Sequence, residues 1–399
     1  MKRLLFLGGS GQQVPALVYA GNKGYYTVLC DYLPDNPGQH YAAKFYCVST
    51  TDKDAVLAVA QRERVDGIVA YASDPAAPTA AYVAEKLGLP ANPFKQVELL
   101  TNKDKFRSFL AQNSFPSPRA GGYGSVEQAA GEIGEFRLPV IIKPVDSSGS
   151  KGVSKLTHPS DLNGLFHKAL AFSRVKRVII EEFVEKSGYQ VAGDGFSVDG
   201  KLVFRCFAND HFMADGLNPF VPVSASFPYR GPAGLHDKIH GEIQRLLTLL
   251  GMKTGAYNFD IRVDEKENIY LMEIGPRNGG NYIPQVIRYA TGIDMIGYTI
   301  KAAVGEYCGD LKMAEPRGCW SYYAVHSRTP GILREIKIKE KVRANHIIES
   351  HLNYKAGNRV PAFTGSNQSI GILIMKFDSM EQMLDLMDNP EKWIQVIVD

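Results

Sequence analysis

The stretch VIIKPVDSSGSKGV, residues 140–153, decides how the rest of the chain is read. Val140, Ile141 and Ile142 form an apolar, β-branched run that reads as a buried strand, and that strand delivers Lys143. The Ser- and Gly-rich segment that follows cannot continue the strand. Small residues let successive backbone amides close on phosphate oxygens, and a lysine ammonium supplies a point charge beside them. The order G-x-x-x-x-G-K-[ST] is absent, so the phosphates are expected under a flap rather than in a strand-to-helix nest. Candidate contacts are Lys143, Ser147, Ser148, Gly149, Ser150 and Gly152.

Toward the C-terminus, GAYNFDIRVDEKENIYLMEIGPRNGG (255–280) reads as two strands joined by a polar turn at Glu265–Asn268. Residues paired across an antiparallel hairpin share a constant index sum, so a symmetric turn sets Asp260 opposite Glu273. Two acids on one face cost energy unless a cation lies between them, and hard oxygen ligands beside a phosphate-gripping loop point to magnesium. Arg277 lies further along that face and suits bidentate contact with a phosphate or carboxylate.

Toward the N-terminus, a strand at 3–7, the turn GGSGQQ (8–13), a helix and a second strand ending at Asp31 make a βαβ unit. A strand at 67–71 and a helix at 78–88 extend it into a doubly wound α/β domain closed by the loop PANPF (90–94). The glycine turn is a poor match to a dinucleotide site, because Gly11 is followed by Gln12, Gln13 and Val14 where a third glycine belongs. A helix starts at Thr101 with a capping-box-like Thr101–Asp104 pair; its inner stripe is Phe106, Phe109 and Leu110, and Lys103 sits exposed in its first turn. Beyond 116 the strands LPVIIKPV and RVIIEEFV flank a helix near 159–172, an α+β pattern. An amphipathic helix follows at 236–250, closed by Gly251. From about 310, the strands SYYAVHS, REIKI and SIGILIMKF and a helix near 379–388 suggest a small closing α+β piece.

Composition bounds the function. At 399 residues the chain is long enough for two or three domains. Its 45 basic against 42 acidic side chains give a net charge of +3, without the basic excess of a nucleic-acid binder. Five scattered cysteines without a CxxC pair argue for a reducing compartment. The apolar run at the N-terminus breaks at Gly8, too short for a signal-peptide core, and nothing approaches a membrane span, so a cytoplasmic protein is expected.

Taken together, Lys103, Lys143 with its DSSGSKG loop, the IIEEFV strand and the Asp260/Glu273/Arg277 hairpin resemble the ATP-grasp superfamily, in its biotin carboxylase and carbamoyl-phosphate synthetase-like branch. The resemblance implies a Rossmann-like pre-ATP-grasp domain at 1–92, a two-lobed ATP-grasp domain at 93–309 with a mobile small lobe at about 118–185, and an α+β domain at 310–399. It further implies ATP with Mg2+, or Mn2+ in its place. Lys103 and Lys143 would contact phosphates, and Glu181, Glu182, Phe183 and Val184 would edge the adenine, with backbone groups of Glu182 and Val184 reading the purine. The family's acidic ribose position falls at Gln190, with Asp194 as a substitute. The metal motif E-x-N-P-R reads here Glu273-Ile274-Gly275-Pro276-Arg277, so the usual asparagine is missing. Asn258, opposite Gly275 by the same index sum, or else a water, is expected to take the vacant role beside Asp260 and Glu273 at the metal. Arg277 and Lys143 are the expected catalytic residues.

The implied activity is a carboxylate–amine ligase: a small-molecule acid is phosphorylated by ATP, and the acyl phosphate passes to an amine, ammonia or other nucleophile. The segment 205–230, with Arg205, His211, Phe212, Asn218, Tyr229 and Arg230, would line the acceptor side. A homodimer is expected by analogy, and neither nucleic acid nor membrane is an expected partner. A biotin-acceptor Met-Lys-Met is absent. The alternatives are a nucleotide-binding regulator without turnover, which the loss of asparagine at Gly275 favours, and a nicotinamide-dependent oxidoreductase using GGSGQQ and Asp31.

Overall fold

A computed structural model describes residues 1–399. Near its start, the apolar strands β1 (Arg3–Leu7) and β2 (Tyr26–Asp31) pair in parallel, flanked by β3 (Lys44–Cys47) and β4 (Gly67–Val69) in the order β3–β2–β1–β4. Sheets of this kind are covered on both faces, which is why their strands are continuously apolar. One cover comes from far along the chain: the helix Met295–Ala303 sets Ile296 and Ile300 against Leu4 and Phe6.

A four-stranded antiparallel sheet follows, built from β5 (Ala120–Tyr123), β6 (Val140–Pro144), β7 (Ser154–Leu156) and β8 (Val178–Glu182) in the order β5–β8–β6–β7. Phe166 and Ala169 of the helix Leu162–Ala171 close its core. The helix carrying Lys103 runs from Lys103 to Gln112, and its cap is Asn102 rather than the expected Thr101. Asn102 accepts from the Lys105 amide, whereas the Thr101 hydroxyl donates back to the Val97 carbonyl (2.9 Å) and closes the preceding helix, Phe94–Leu100. A threonine following a helix satisfies that helix's last carbonyls before it can cap the next one.

The remaining strands are β9 (Gln190–Val198), β10 (Lys201–Phe212), β11 (Pro222–Phe227), β12 (Gly255–Val263), β13 (Ile269–Gly275), β14 (Cys319–Val325), β15 (Gly331–Ile338), β16 (Ile347–Leu352), β17 (Arg359–Val360), β18 (Gly371–Phe377) and β19 (Ile394–Val398). Eight of them form one antiparallel sheet in the order β13–β12–β9–β10–β11–β14–β18–β16, while β17, β15 and β19 form a small sheet beside it. The division expected at 310 therefore falls inside one sheet. It also falls inside one core, in which Phe196, Phe204 and Phe227 pack with Tyr322, Ile374 and Trp393. No helix is long and apolar enough to cross a membrane.

Candidate active site

The hairpin β12–β13 sets the acids. Asp260 pairs with Glu273 and Asn258 with Gly275, as the constant index sum requires. The route to that register differs from the expected one. At the tip Val263 pairs with Ile269, one unit off the sum, because the turn spans 264–268 and places Glu267 at φ +58°. A bulge at Met272 on β13 restores the sum before the acids are reached, with Asp260 and Ile261 adjacent on β12 but Leu271 and Glu273 their partners. The Arg107 guanidinium holds the bulge, donating to the carbonyls of Leu271 (3.2 Å) and Met272 (2.9 Å).

Around this hairpin each candidate cation meets an acid. Lys143, delivered by β6, pairs with Glu181 of β8, whose other oxygen accepts from Arg107 (2.9 Å). Burial alone would raise the Glu181 carboxyl, but Arg107 and Lys143 outweigh it and hold it at about 2. Burial draws the Lys143 ammonium below its usual value against the pull of Glu181. Lys103 sits 3.0 Å from Glu273 and donates to the Ser147 carbonyl at 2.8 Å. Arg277 grips Asp74 with two nitrogens, Nε to Oδ1 at 2.7 Å and Nη2 to Oδ2. Burial opposes the Asp74 charge, yet Arg277 wins and holds the carboxyl below its usual range.

The 147–152 loop supplies the opposite kind of group. None of the amides from Ser147 through Gly152 donates a hydrogen bond inside the protein. Four cleft-lining residues, Ser147, Ser148, Gly149 and Ser150, lie in this run, and Lys151 joins them. The cavity between the small sheet and the large one is about 280 Å³, close to the lower bound of ~300 Å³ for small-molecule sites.

Fourteen of the residues expected from sequence line this cavity: Lys103, Lys143, Ser147, Ser148, Gly149, Ser150, Glu181, Glu182, Val184, Gln190, Asn258, Asp260, Glu273 and Arg277. Three do not. Gly152 turns toward Phe172, where an added Cβ would lie 2.8 Å from the ring. Phe183 is held outside, between the Lys155 ammonium at 4.1 Å and the Arg262 guanidinium at 5.0 Å. Asp194 is fully buried off the cavity wall, beside Asn258, accepting from Asn258 Nδ2 (2.9 Å) and the Gly279 amide (2.8 Å). It braces the hairpin and offers nothing to a ribose. Of the hinge groups, the Val184 carbonyl already accepts from Arg262 (2.8 Å), leaving its amide as the free edge.

Of the acceptor-side candidates only Phe212 lines the cleft. Arg205 faces Asp237 (3.1 Å), His211 is buried between Asp388 and Ser226, and Tyr229 packs in the core. Asn218 and Arg230 lie off the cavity wall. Cleft residues missed by the sequence reading include Gln12, Asp74, Lys151, Asp210, Arg262 and Asn281. The alternation of β10 could have exposed Asp210, two residues before Phe212 on the same face. Burial, then Asp260, push the Asp210 carboxyl well above its usual range.

The donor set fits a hard cation. Asp260 Oδ1 is a buried carboxylate oxygen with no hydrogen-bond partner, and burial together with the facing Glu273 lifts Asp260 to about 6. The Asn258 amide nitrogen is committed to Asp194 and the Gly193 carbonyl, which leaves its oxygen. No group of three His, Cys, Asp or Glu side chains is gathered here, so protein carboxylates could supply only part of a coordination shell.

In the turn GGSGQQ the amides of Gly8, Gly9 and Ser10, where a pyrophosphate would sit, are already bonded. The Gly9 amide donates to Asp31 (2.7 Å), the Ser10 amide to Gln13 Oε1 (3.0 Å) and the Gly8 amide to the Cys30 carbonyl (2.9 Å). Gln13 and Asn36 fill the space a pyrophosphate would need: Cβ atoms on Gly8 and Gly9 would lie 2.3 and 2.1 Å from them. Asp31 also accepts from the Leu33 amide, so it is occupied by backbone rather than free for a ribose. The oxidoreductase reading has no site here.

The cleft lies between a lysine-bearing antiparallel sheet and a carboxylate hairpin, and residues 147–151, whose amides are free, line it as well. Residues 136–285 match the family model for the ATP-grasp domain. Over 273 residues the chain is 29% identical to the uncharacterized protein y4rH of Sinorhizobium fredii, covering 65% of this chain and 54% of that protein. The chain thus spans about half the length of this relative. Its fold is similar to that of an L-amino acid ligase from Bacillus licheniformis, with TM-score 0.82, 19% identity and coverage of 100% and 99%. It is also similar to the biotin carboxylase domain of the Hydrogenobacter thermophilus 2-oxoglutarate carboxylase, crystallised as a dimer with MgADP, ADP and bicarbonate, with TM-score 0.76, 15% identity and coverage of 100% and 91%.

Proposed function

We propose that the chain is an ATP- and Mg2+-dependent ligase that activates a small-molecule carboxylic acid as an acyl phosphate for attack by an amine, ammonia or another nucleophile. One observation carries the reading: Lys103, Lys143, Arg277, the pair Asp260/Glu273 and residues 147–151, whose amides are free, all line one cavity. ATP would lie with its adenine at the Val184 edge and its phosphates under the loop, met by Lys103 and Lys143. A substrate carboxylate placed at Arg277 would attack the γ-phosphorus, forming the acyl phosphate and releasing ADP. The nucleophile would then displace phosphate from the acyl carbon. Asp260, Glu273 and the Asn258 oxygen would hold Mg2+, which when bound supplies charge neutralisation at the phosphates. The residues themselves mainly bind, align and exclude water, the terms on which such transfers depend most.

The five free cysteines support a reducing, cytoplasmic setting. A homodimer, as in the 2-oxoglutarate carboxylase domain, is the assembly we propose for light-scattering analysis. A second reading, a nucleotide-binding regulator without turnover, rests on Gly275 standing where the family has its metal-binding asparagine. Mg2+-dependent ADP release across a panel of acid and amine pairs tests both. Release that needs acid, amine and Mg2+ together supports the ligase; tight ATP binding without release under every pair supports the regulator.

A further inference from the structure

The loop of free amides raises a physical question: what fixes its shape, if its N–H groups bond to nothing? Its carbonyls answer. Lys103 Nζ holds the Ser147 carbonyl (2.8 Å), the Ser366 amide holds that of Gly149 (3.2 Å), and Asn218 Nδ2 holds that of Ser150 (2.9 Å). In a trans peptide the carbonyl of one residue and the N–H of the next point in opposite directions. Holding the carbonyls of 147, 149 and 150 therefore also fixes, through the same planar peptides, the free amides of Ser148, Ser150 and Lys151, residues that line the cleft.

Asn218 is the centre of this grip. Its second N–H donates to the Thr364 carbonyl (2.9 Å), and its Oδ1 accepts from the Phe220 amide (3.1 Å). Ser150 Oγ adds a bond to the Phe220 carbonyl (2.7 Å). One side chain thus joins three segments distant in sequence: the phosphate loop, the β10–β11 connection and the C-terminal 363–368 turn, which itself lines the cleft through Ser366. The pattern uses both donors and the acceptor of the amide, so it fixes which end is nitrogen.

We infer that Asn218 is a positioning residue, which holds the 147–152 loop in its phosphate-ready shape by tying it to the 363–368 turn. The inference rests on the nucleotide reading above. Asn218→Asp would set a carboxylate oxygen against two carbonyls and release the loop. Lys151 gives a direct readout, because trypsin cleaves after it only when the loop is open. With an ATP analogue that resists hydrolysis plus Mg2+ as the probe, wild type should be cut slowly at Lys151 and protected further by the analogue. Asn218→Asp should be cut there about tenfold faster and bind the analogue about tenfold more weakly, as the loss of two neutral hydrogen bonds implies, at unchanged Tm. If Asn218→Asp does not fold, Asn218→Ala takes its place in the same assay. Wild-type protection with variant cleavage and binding equal to wild type overturns the inference; no analogue protection or binding in wild type overturns the nucleotide reading instead.

Discussion

The chain contains two glycine-rich turns, each following a buried strand, and they do opposite things. In GGSGQQ the amides of Gly8, Gly9, Ser10 and Gln13 donate within the protein, and Gln13 and Asn36 fill the space beside the glycines. In SSGSKG, Ser147 to Gly152, no amide donates inward, and only the carbonyls are held. Glycine content does not separate a ligand-binding turn from a structural one. What separates them is whether the backbone donors are already satisfied.

Four substitutions press on this contrast, in order of expected effect. Lys143→Ala removes the fixed charge beside the open turn and should lower turnover on the order of a hundredfold to a thousandfold, measured as ADP release under saturating substrates. Full turnover in that variant would remove Lys143 from the site. Gly9→Ala drives a methyl onto the Asn36 amide, so it should cost about 1–3 kcal/mol of stability in denaturant melts while the folded fraction binds nucleotide as tightly as wild type. A selective loss of nucleotide binding would show that the closed turn is used after all.

Asp260→Asn tests the acids beneath the open turn. Burial, then Glu273, raise the Asp260 carboxyl to about 6, so its favourable contribution to the ligand-free fold is complete below pH ~4 and lost as pH climbs through about 6. The variant should therefore stabilise the ligand-free protein by about 1–2 kcal/mol at pH 7.5, with far less effect at pH 5, and abolish any Mg2+-dependent shift. Equal shifts at the two pH values would contradict that origin. The smallest effect is expected from Gly149→Ala. Gly149 has φ +67°, and the one close clash of its Cβ would be with the movable Ser366 hydroxyl at 2.2 Å, so a cost of about 1 kcal/mol should appear as weaker nucleotide binding with little change in Tm.

Much of this was legible in the residues because it depends on local periodicity. The strands around Lys143 and the facing of Asp260 and Glu273 follow from alternation and an index sum. Asp194 shares its face with Gln190 and Ala192, as alternation predicts, but alternation does not say how deep a residue lies; the bonds to Asn258 and Gly279 show that its oxygens are covered. Asp74 was invisible because its partner Arg277 lies 203 residues away. The division at 310 cuts through a shared sheet for a related reason: turn residues mark where a strand ends, but β14 pairs with β11 as well as β18, and the helices and hairpin between β11 and β14 leave no local signal of that pairing.

The bulge at Met272 has a consequence for how this hairpin can change over generations. It separates the spacing of the acids from the length of the tip, since the mismatch introduced at 264–268 is absorbed before Asp260 and Glu273 are reached. Insertions and deletions at the exposed tip can then be tolerated, with the extra or missing residue taken up at the bulge. The two carboxylates keep their partnership while the loop beyond them is free to drift.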